Sequence, residues 1–152
     1  MALTLSSPAF GQGQSIPAEH SCKGRNISPA LAWTGAPANT ASYALIVEDP
    51  DAPAGTFVHW VLYNVPAVSR GLSQGLSHDP SFSDGAAQGR NSGNRQYYDG
   101  PCPPSGTHRY FFRLYALDVR LELAPGATAD QLRKAMQGHI LAQGELMGTF
   151  AK

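Results

Sequence analysis

Charged side chains are scarce in this sequence. They make up 14% of its 152 residues, against about 25% in average proteins. Lys+Arg and Asp+Glu are balanced at 11 each, and 42% of the residues are hydrophobic, a combination that argues against a disordered chain. A nucleic-acid-binding surface needs a patch or stripe of lysine and arginine. The sequence has no such stripe, so nucleic acid is not an expected partner.

Long apolar runs are also absent. No stretch approaches the roughly 20 apolar residues of a transmembrane helix, so no integral membrane segment is expected. Residues 1–8 have neither the basic start nor the sustained apolar run of a secretory signal. These two absences predict a cytoplasmic protein. The length is close to the common domain size, which predicts a single domain over residues 1–152.

Turn-forming residues are abundant, with 16 glycines and 12 prolines. This excess predicts short strands joined by many turns rather than a helical bundle. Apolar runs predict three clear strands and two weaker ones, at residues 43–47, 58–65, 109–117, 3–5 and 119–123. In the third strand, the two-residue period places His108 and Tyr110 on one face. Arg109 and Arg113 lie on the other face, where ion pairs at the sheet surface are expected.

One helix is predicted near the end of the chain. Thr128 and Gln131 have the spacing of a capping box, directly after the helix-breaking pair Pro125 and Gly126. Apolar residues then recur at helical spacing, which extends the predicted helix to about residue 143 and places His139 on its apolar face. Several strands and one late helix predict a mainly β fold, an antiparallel β-sandwich with a C-terminal α-helix.

Two polar segments interrupt the apolar runs. The first is Asp-Pro-Asp-Ala-Pro at residues 49–53, followed by Val-His-Trp at residues 58–60. The second extends from Gly100 to Tyr110 and contains three prolines and His108. Proline fixes the backbone φ angle and removes a donor, so it stiffens the loops that present these side chains. Rigid loops carrying Asp, His and Tyr indicate a preorganised pocket for a small ligand.

These segments resemble the phosphatidylethanolamine-binding protein family, which includes the Raf kinase inhibitor-like proteins. Stretches at residues 26–33 and 138–142 add to the resemblance, which covers the chain from about residue 21 to its end. The sequence around Cys22 and residues 100–104 is most similar to the compact bacterial and archaeal branch. The resemblance implies a large central sheet, a smaller sheet over it, and a C-terminal helix beside an anion-binding pocket.

In the family resembled, an aspartate, two histidines, a tyrosine and a proline line the anion-binding cavity. The ligand-binding residues that the resemblance implies here, with the second aspartate alongside, are Asp49, Asp51, His59, Pro104, His108 and Tyr110. His and Tyr can donate hydrogen bonds to phosphate or carboxylate oxygens, and Asp can fix the proton position on a neighbouring His. Simpler roles remain open. Asp51 could cap a proline turn, and His59 could be a core histidine on the face of Val61 and Tyr63.

Cys22 and Cys102 are the only cysteines, 80 positions apart. Their spacing is neither C-x-x-C nor zinc-like, so a structural zinc site is not expected. Two reduced thiols would be usual in the cytosol. Because the resemblance places both loops near the pocket, a disulfide that joins the N-terminal loop to the proline-rich loop is equally open.

The resemblance implies a non-catalytic protein that binds a small phosphate-like or carboxylate-like anion and modulates a protein partner such as a kinase or protease. It implies no cofactor and no metal. A first alternative is a hydrolase built on Asp49, His59 and His108, acting by acid–base chemistry or with a divalent metal, for which these are legitimate ligand types. A second alternative is a homodimeric interaction module in which the pocket is vestigial.

Overall fold

The structure is a computed structural model that describes residues 3–152; Met1 and Ala2, at the start of the amino-terminal segment, lie outside the described residues. Its elements, in chain order, are β1 (Thr4–Ser6), a 3₁₀ helix (Ala18–His20), β2 (Leu31–Thr34), β3 (Ser42–Asp49), β4 (Phe57–Pro66), β5 (Gly71–Leu72), β6 (Ala87–Gln88), β7 (Thr107–Leu117), α1 (Ala129–Met136) and β8 (Ile140–Ala151). The strands form two antiparallel sheets, in the orders β1-β2-β5 and β6-β4-β3-β7-β8. The predicted mainly β sandwich with one C-terminal α-helix is confirmed.

The larger sheet has β3 at its centre, and every residue of β3 is buried. One face of this sheet packs against the smaller sheet, where Trp33 meets Trp60 and Phe112 in a shared core. On the other face, Ile46 packs in a second core with Leu132 of α1. Because both faces of β3 are covered, its sequence is a continuous apolar run rather than an alternating one.

A β-bulge interrupts β4 beside the end of β3. Val47 of β3 pairs with Trp60, whereas the next residue, Glu48, pairs with Val58. His59 is therefore an extra residue without its own partner across the strand pair. Such a residue bends its strand and redirects the side chains on either side.

The bulge decides which face His59 occupies. The prediction that His59 shares a face with Val61 and Tyr63 is wrong, because those two side chains belong to the core beneath α1. The His59 ring instead lies 5.3 Å from the Tyr110 ring, centroid to centroid. The physical reason is the extra residue, since one added position reverses the alternation of faces along a strand.

The predicted capping box of α1 is present. Thr128 Oγ1 accepts a hydrogen bond from the Gln131 amide at 3.2 Å, and Gln131 Oε1 accepts one from the Thr128 amide at 2.9 Å. The predicted extension of this helix to residue 143 is wrong, because α1 ends at Met136. Gly138 has a φ of +80°, a conformation that stops helices. The chain after it forms β8, which pairs with β7 along nearly its whole length.

Two further expectations for this region are wrong. His139 does not lie in a core; it is partly exposed, and its Nδ1 lies 2.9 Å from a carboxylate oxygen of Asp118. Residues 119–123 do not form a strand. The Asn64 side chain donates to the Leu121 carbonyl at 2.9 Å and accepts from the Leu121 amide at 2.7 Å. A side chain thus satisfies the backbone groups that a strand partner would otherwise bind.

Candidate functional site

A cavity of about 180 Å³ opens at the ends of β3, β4 and β7. The residues that line it are Asp49, Ala52, Pro53, Phe57, His59, Asp99, Gly100, Cys102, Pro103, Pro104, His108 and Tyr110. The structure brings together all the predicted ligand-binding residues except Asp51. Drug-sized ligands occupy pockets of about 300–1,000 Å³, so this cavity fits a small ion or head group.

Asp49 and His108 form a buried pair at one side of the cavity. Asp49 ends β3, and His108 is the second residue of β7, its antiparallel neighbour. The His108 Nδ1 lies 2.6 Å from Asp49 Oδ2, and the other carboxylate oxygen accepts the Asp51 amide at 2.7 Å. Both carboxylate oxygens are therefore held in place, and the His108 ring is oriented by a charge-assisted hydrogen bond.

His59 enters the cavity from the bulge in β4. Its Nδ1 lies 2.6 Å from the backbone carbonyl oxygen of Asp99. A carbonyl can only accept, so Nδ1 carries the proton and the neutral ring presents Nε2 as an acceptor. Burial lowers the pKa of His59, despite opposing effects of the Asp99 carbonyl and the Asp49 charge. The neutral ring is thus the form that this environment favours.

Tyr110 is 1% exposed. Among the described residues, its hydroxyl makes no hydrogen bond of standard geometry, although the Asp49 carboxylate lies near enough to act on it as an acceptor. Burial first, and then the nearby charge of Asp49, raise the pKa of Tyr110, so the hydroxyl remains protonated and available as a donor. A buried polar group without a partner costs about 1–3 kcal/mol. A water molecule, an ion or a small side-chain shift towards Asp49 would give this hydroxyl an acceptor.

The loop before β7 forms the opposite wall and is fastened to the N-terminal loop. Cys102 is bonded to Cys22, with their Cα atoms 5.4 Å apart. The Cys22 amide donates to the Pro101 carbonyl at 3.1 Å, and the Gly100 amide donates to Asn26 Oδ1 at 2.8 Å. Of the two states open for the cysteines, the structure contains the disulfide.

Asp51 lies outside the cavity lining. Both of its carboxylate oxygens accept hydrogen bonds from the Arg109 guanidinium, at 2.8 and 2.9 Å. These bonds hold the pKa of Asp51 at about 2, well below its ordinary value. Arg109 thereby makes the surface ion pair expected from its place on β7, and Arg113 does the same with Glu48 at 2.9 Å. A ligand contact from Asp51 stays a prediction.

Two groups that contact His59 were not among the predicted ligand-binding residues. The carbonyl of Asp99 sets the proton position on His59, and the Asn91 side chain donates to the His59 carbonyl at 3.1 Å. Every residue has a backbone carbonyl, so the sequence does not show which one contacts His59. The role of the Asp99 carbonyl could therefore not be predicted. The second group lies in the glycine- and asparagine-rich loop at residues 89–95, whose composition marks a turn rather than a contact.

Two other clefts are weaker candidates for a functional site. A more open groove of about 550 Å³ lies at the start of α1, but Arg133 in it already pairs with Glu48 at 2.8 Å, and Arg90 donates to Asn94 Oδ1 at 3.2 Å. A third cleft beside β5 contains Ser73, within the Gly-x-Ser-x-Gly pattern of residues 71–75. That serine lacks the strand–turn–helix that presents a hydrolase nucleophile. The smaller cavity is therefore the candidate site.

Within residues 3–152, no group of three or more His, Cys, Asp or Glu side chains is placed to hold a metal ion. None of the helices in these residues is long and apolar enough to cross a membrane. Disulfides are typical of oxidising compartments and rare in the cytosol, so the bond between Cys22 and Cys102 does not favour the cytoplasmic location, which stays a prediction.

Known proteins are similar to this chain over nearly its whole length. Residues 6–151 match the family described as phosphatidylethanolamine-binding protein. A UPF0098 protein of Methanothermobacter thermautotrophicus is 45% identical over 150 residues, which cover 99% of each chain. Mycobacterium tuberculosis LppC, which is named as a lipoprotein, is 45% identical over 97% of this chain and 72% of its own length.

A solved structure supports the same assignment. The crystal structure of CT736, a phosphatidylethanolamine-binding protein homologue from Chlamydia trachomatis, superposes with a TM-score of 0.92. The two sequences are 44% identical, and the match covers 99% of this chain and 98% of the other. The family match and these relatives span nearly the whole described chain. This protein therefore belongs to the phosphatidylethanolamine-binding protein family.

Proposed function

We propose that this protein is a non-catalytic binding protein for a small anion of the phosphate or carboxylate class, such as a phosphate-bearing head group. The observation that carries this proposal is the buried Tyr110 hydroxyl, which has no partner in the described residues. The hydroxyl has almost no exposed surface, so a small shift of the side chain would bring it to an anion oxygen in the cavity, which would accept its hydrogen bond. The cost of leaving that donor unpaired would then disappear on binding.

The surroundings of Tyr110 support an anion of small size. The rings of His59 and His108 lie 5.3 and 6.4 Å from the Tyr110 ring, centroid to centroid. Phe57 packs 4.8 Å from the His59 ring. Phe57 and the prolines of the lining are apolar. They reduce the contact of the polar groups with water, and hydrogen bonds to an anion are stronger in such a setting.

Replacing Tyr110 with phenylalanine tests the proposal. We expect the affinity for inorganic phosphate, measured by titration calorimetry, to fall about tenfold or more, because one hydrogen bond to a charged oxygen is lost. The free energy of unfolding, measured by denaturant titration, should stay unchanged or rise slightly. The reason is that the variant removes a buried hydroxyl that has no partner in the described chain.

Tyr115→Phe is the matched control. Tyr115 lies on the same strand but belongs to the core beneath α1, on the opposite face of the sheet. Its replacement should leave the phosphate affinity unchanged. Equal phosphate affinity in the native protein and in Tyr110→Phe would show that the hydroxyl does not contact the anion, and the proposal would lose its main support.

A further inference from the structure

The cavity has an unusual balance of donors and acceptors. Both histidines have their Nδ1 committed within the protein, His59 to the Asp99 carbonyl and His108 to Asp49. In the neutral ring of His59, Nε2 is then a hydrogen-bond acceptor. Among the described residues that line the cavity, the Tyr110 hydroxyl is the side-chain donor left without a partner.

Positive charge is also missing from the lining. No lysine or arginine is among the described residues that form the cavity. The titratable groups that face it are Asp49, His59, Asp99, His108 and Tyr110. The nearest arginines are engaged elsewhere, Arg95 with the Asp99 carboxylate and Arg109 with Asp51. An anion in the cavity would therefore meet the carboxylate of Asp49 without a fixed cation to offset it.

We propose that the cavity selects oxyanions that carry a proton, such as inorganic phosphate or a protonated phosphate monoester, over oxyanions that carry none, such as sulfate. This inference rests on the proposed function and names the ligand class of the same site. The P–OH group would donate to the Nε2 of His59. An unprotonated oxygen of the same phosphate would accept from Tyr110.

Proton supply explains the selectivity. A phosphate monoester has a second pKa of about 6 and can keep a proton in the cavity at a small cost in free energy. Inorganic phosphate carries at least one proton throughout the neutral range. Sulfate has none there, so it would place an oxygen against the lone pair of His59 Nε2. It could bind well only if His59 took up a proton from solvent. Burial opposes that step at His59, since it lowers the pKa of this ring.

Titration calorimetry of the native protein with inorganic phosphate and with sulfate tests this inference. At pH 7.5, we expect phosphate to bind about tenfold tighter or more, because sulfate leaves buried groups unpaired or repelled. Repeating both titrations in buffers of different ionisation enthalpy should show uptake of about one proton per sulfate and less per phosphate. The gap should narrow towards pH 5.5, as imidazole protonation becomes easier.

Each outcome is informative. Equal affinities at pH 7.5 without proton uptake by sulfate would overturn the selectivity and leave the anion site standing. Binding of neither anion would overturn the proposed function and this inference together. Binding of both, with phosphate favoured and sulfate taking up a proton, would support both.

His59→Gln replaces a hydrogen-bond acceptor in the cavity with a possible donor. The glutamine amide can place a donor where the Nε2 acceptor stood, so the ratio of phosphate to sulfate affinity should fall at least about fivefold. His78→Gln is the control, because His78 is exposed and lies outside the cavity lining. An unchanged ratio in a folded His59→Gln protein would contradict the role assigned to Nε2. The buffer comparison on the native protein remains decisive if the variant fails to fold.

Discussion

Replacing Cys22 and Cys102 together with serine is expected to lower the free energy of unfolding by about 4.5 kcal/mol. The disulfide joins positions 80 residues apart, so its removal frees a long loop in the unfolded chain and favours that state by chain entropy. Both cysteines are exposed, so serine introduces no buried polar group. Denaturant unfolding of the native and double-serine proteins, both without reductant, measures the difference.

Reductant supplies the control for this prediction. Adding it to the native protein should reproduce the loss, whereas the double-serine variant should not respond. Each single serine variant should match the double one, because either change breaks the same bond. Two free thiols in the unreduced, denatured native protein, or the same unfolding midpoint with and without reductant, would show that the bond is absent in solution or contributes nothing.

The disulfide also links stability to the candidate site. Cys102 lines the cavity, and its neighbours Gly100 and Pro101 are the residues through which the wall is fastened to the N-terminal loop. Opening the disulfide leaves two hydrogen bonds between the loops, one to the Pro101 carbonyl and one to the Asn26 side chain. We therefore expect phosphate affinity to fall along with stability in the serine variants, since a looser wall increases the ordering cost of binding.

Local patterns were sufficient for some elements of the fold. The two-residue period of β7 gave the correct face for His108 and Tyr110, because alternation along a strand needs no knowledge of its partner. The capping box at Thr128 was predictable for the same reason, since its two hydrogen bonds lie within three residues. In both cases the information is contained in the segment itself.

Other features depend on contacts distant in sequence. The bulge at His59 exists only in the register between β3 and β4. The apolar spacing after Met136 fits a helix as well as it fits the start of a strand, and pairing with β7 decides in favour of β8. The proton position on His59 depends on a carbonyl 40 residues away. The bulge and the proton position on His59 determine which hydrogen-bond donors and acceptors face the cavity. These could therefore not be assigned from sequence.

Gly100→Ala should disrupt both the fold and the anion site. A Cβ atom at this position would lie 2.1 Å from the His20 carbonyl oxygen and 2.5 Å from Asn26 Oδ1. The first contact is with backbone, so the loop itself must move. We expect a loss of about 3 kcal/mol in the free energy of unfolding, at the upper end for an overpacked site. Denaturant titration and phosphate calorimetry on the same sample measure both effects.

The loss of affinity in Gly100→Ala has a specific cause. The displaced loop carries the Asp99 carbonyl that orients His59, so movement there loosens the ring that faces the ligand. Gly11→Ala is the control, because it lies outside the cavity lining and its Cβ would meet only the end of the exposed Gln14 side chain, with Oε1 at 2.9 Å, which can shift. The free energy of unfolding of that variant should lie within about 0.5 kcal/mol of the native value, and its phosphate affinity should be unchanged. If Gly100→Ala behaves like this control, the close contact with His20 does not fix the cavity wall.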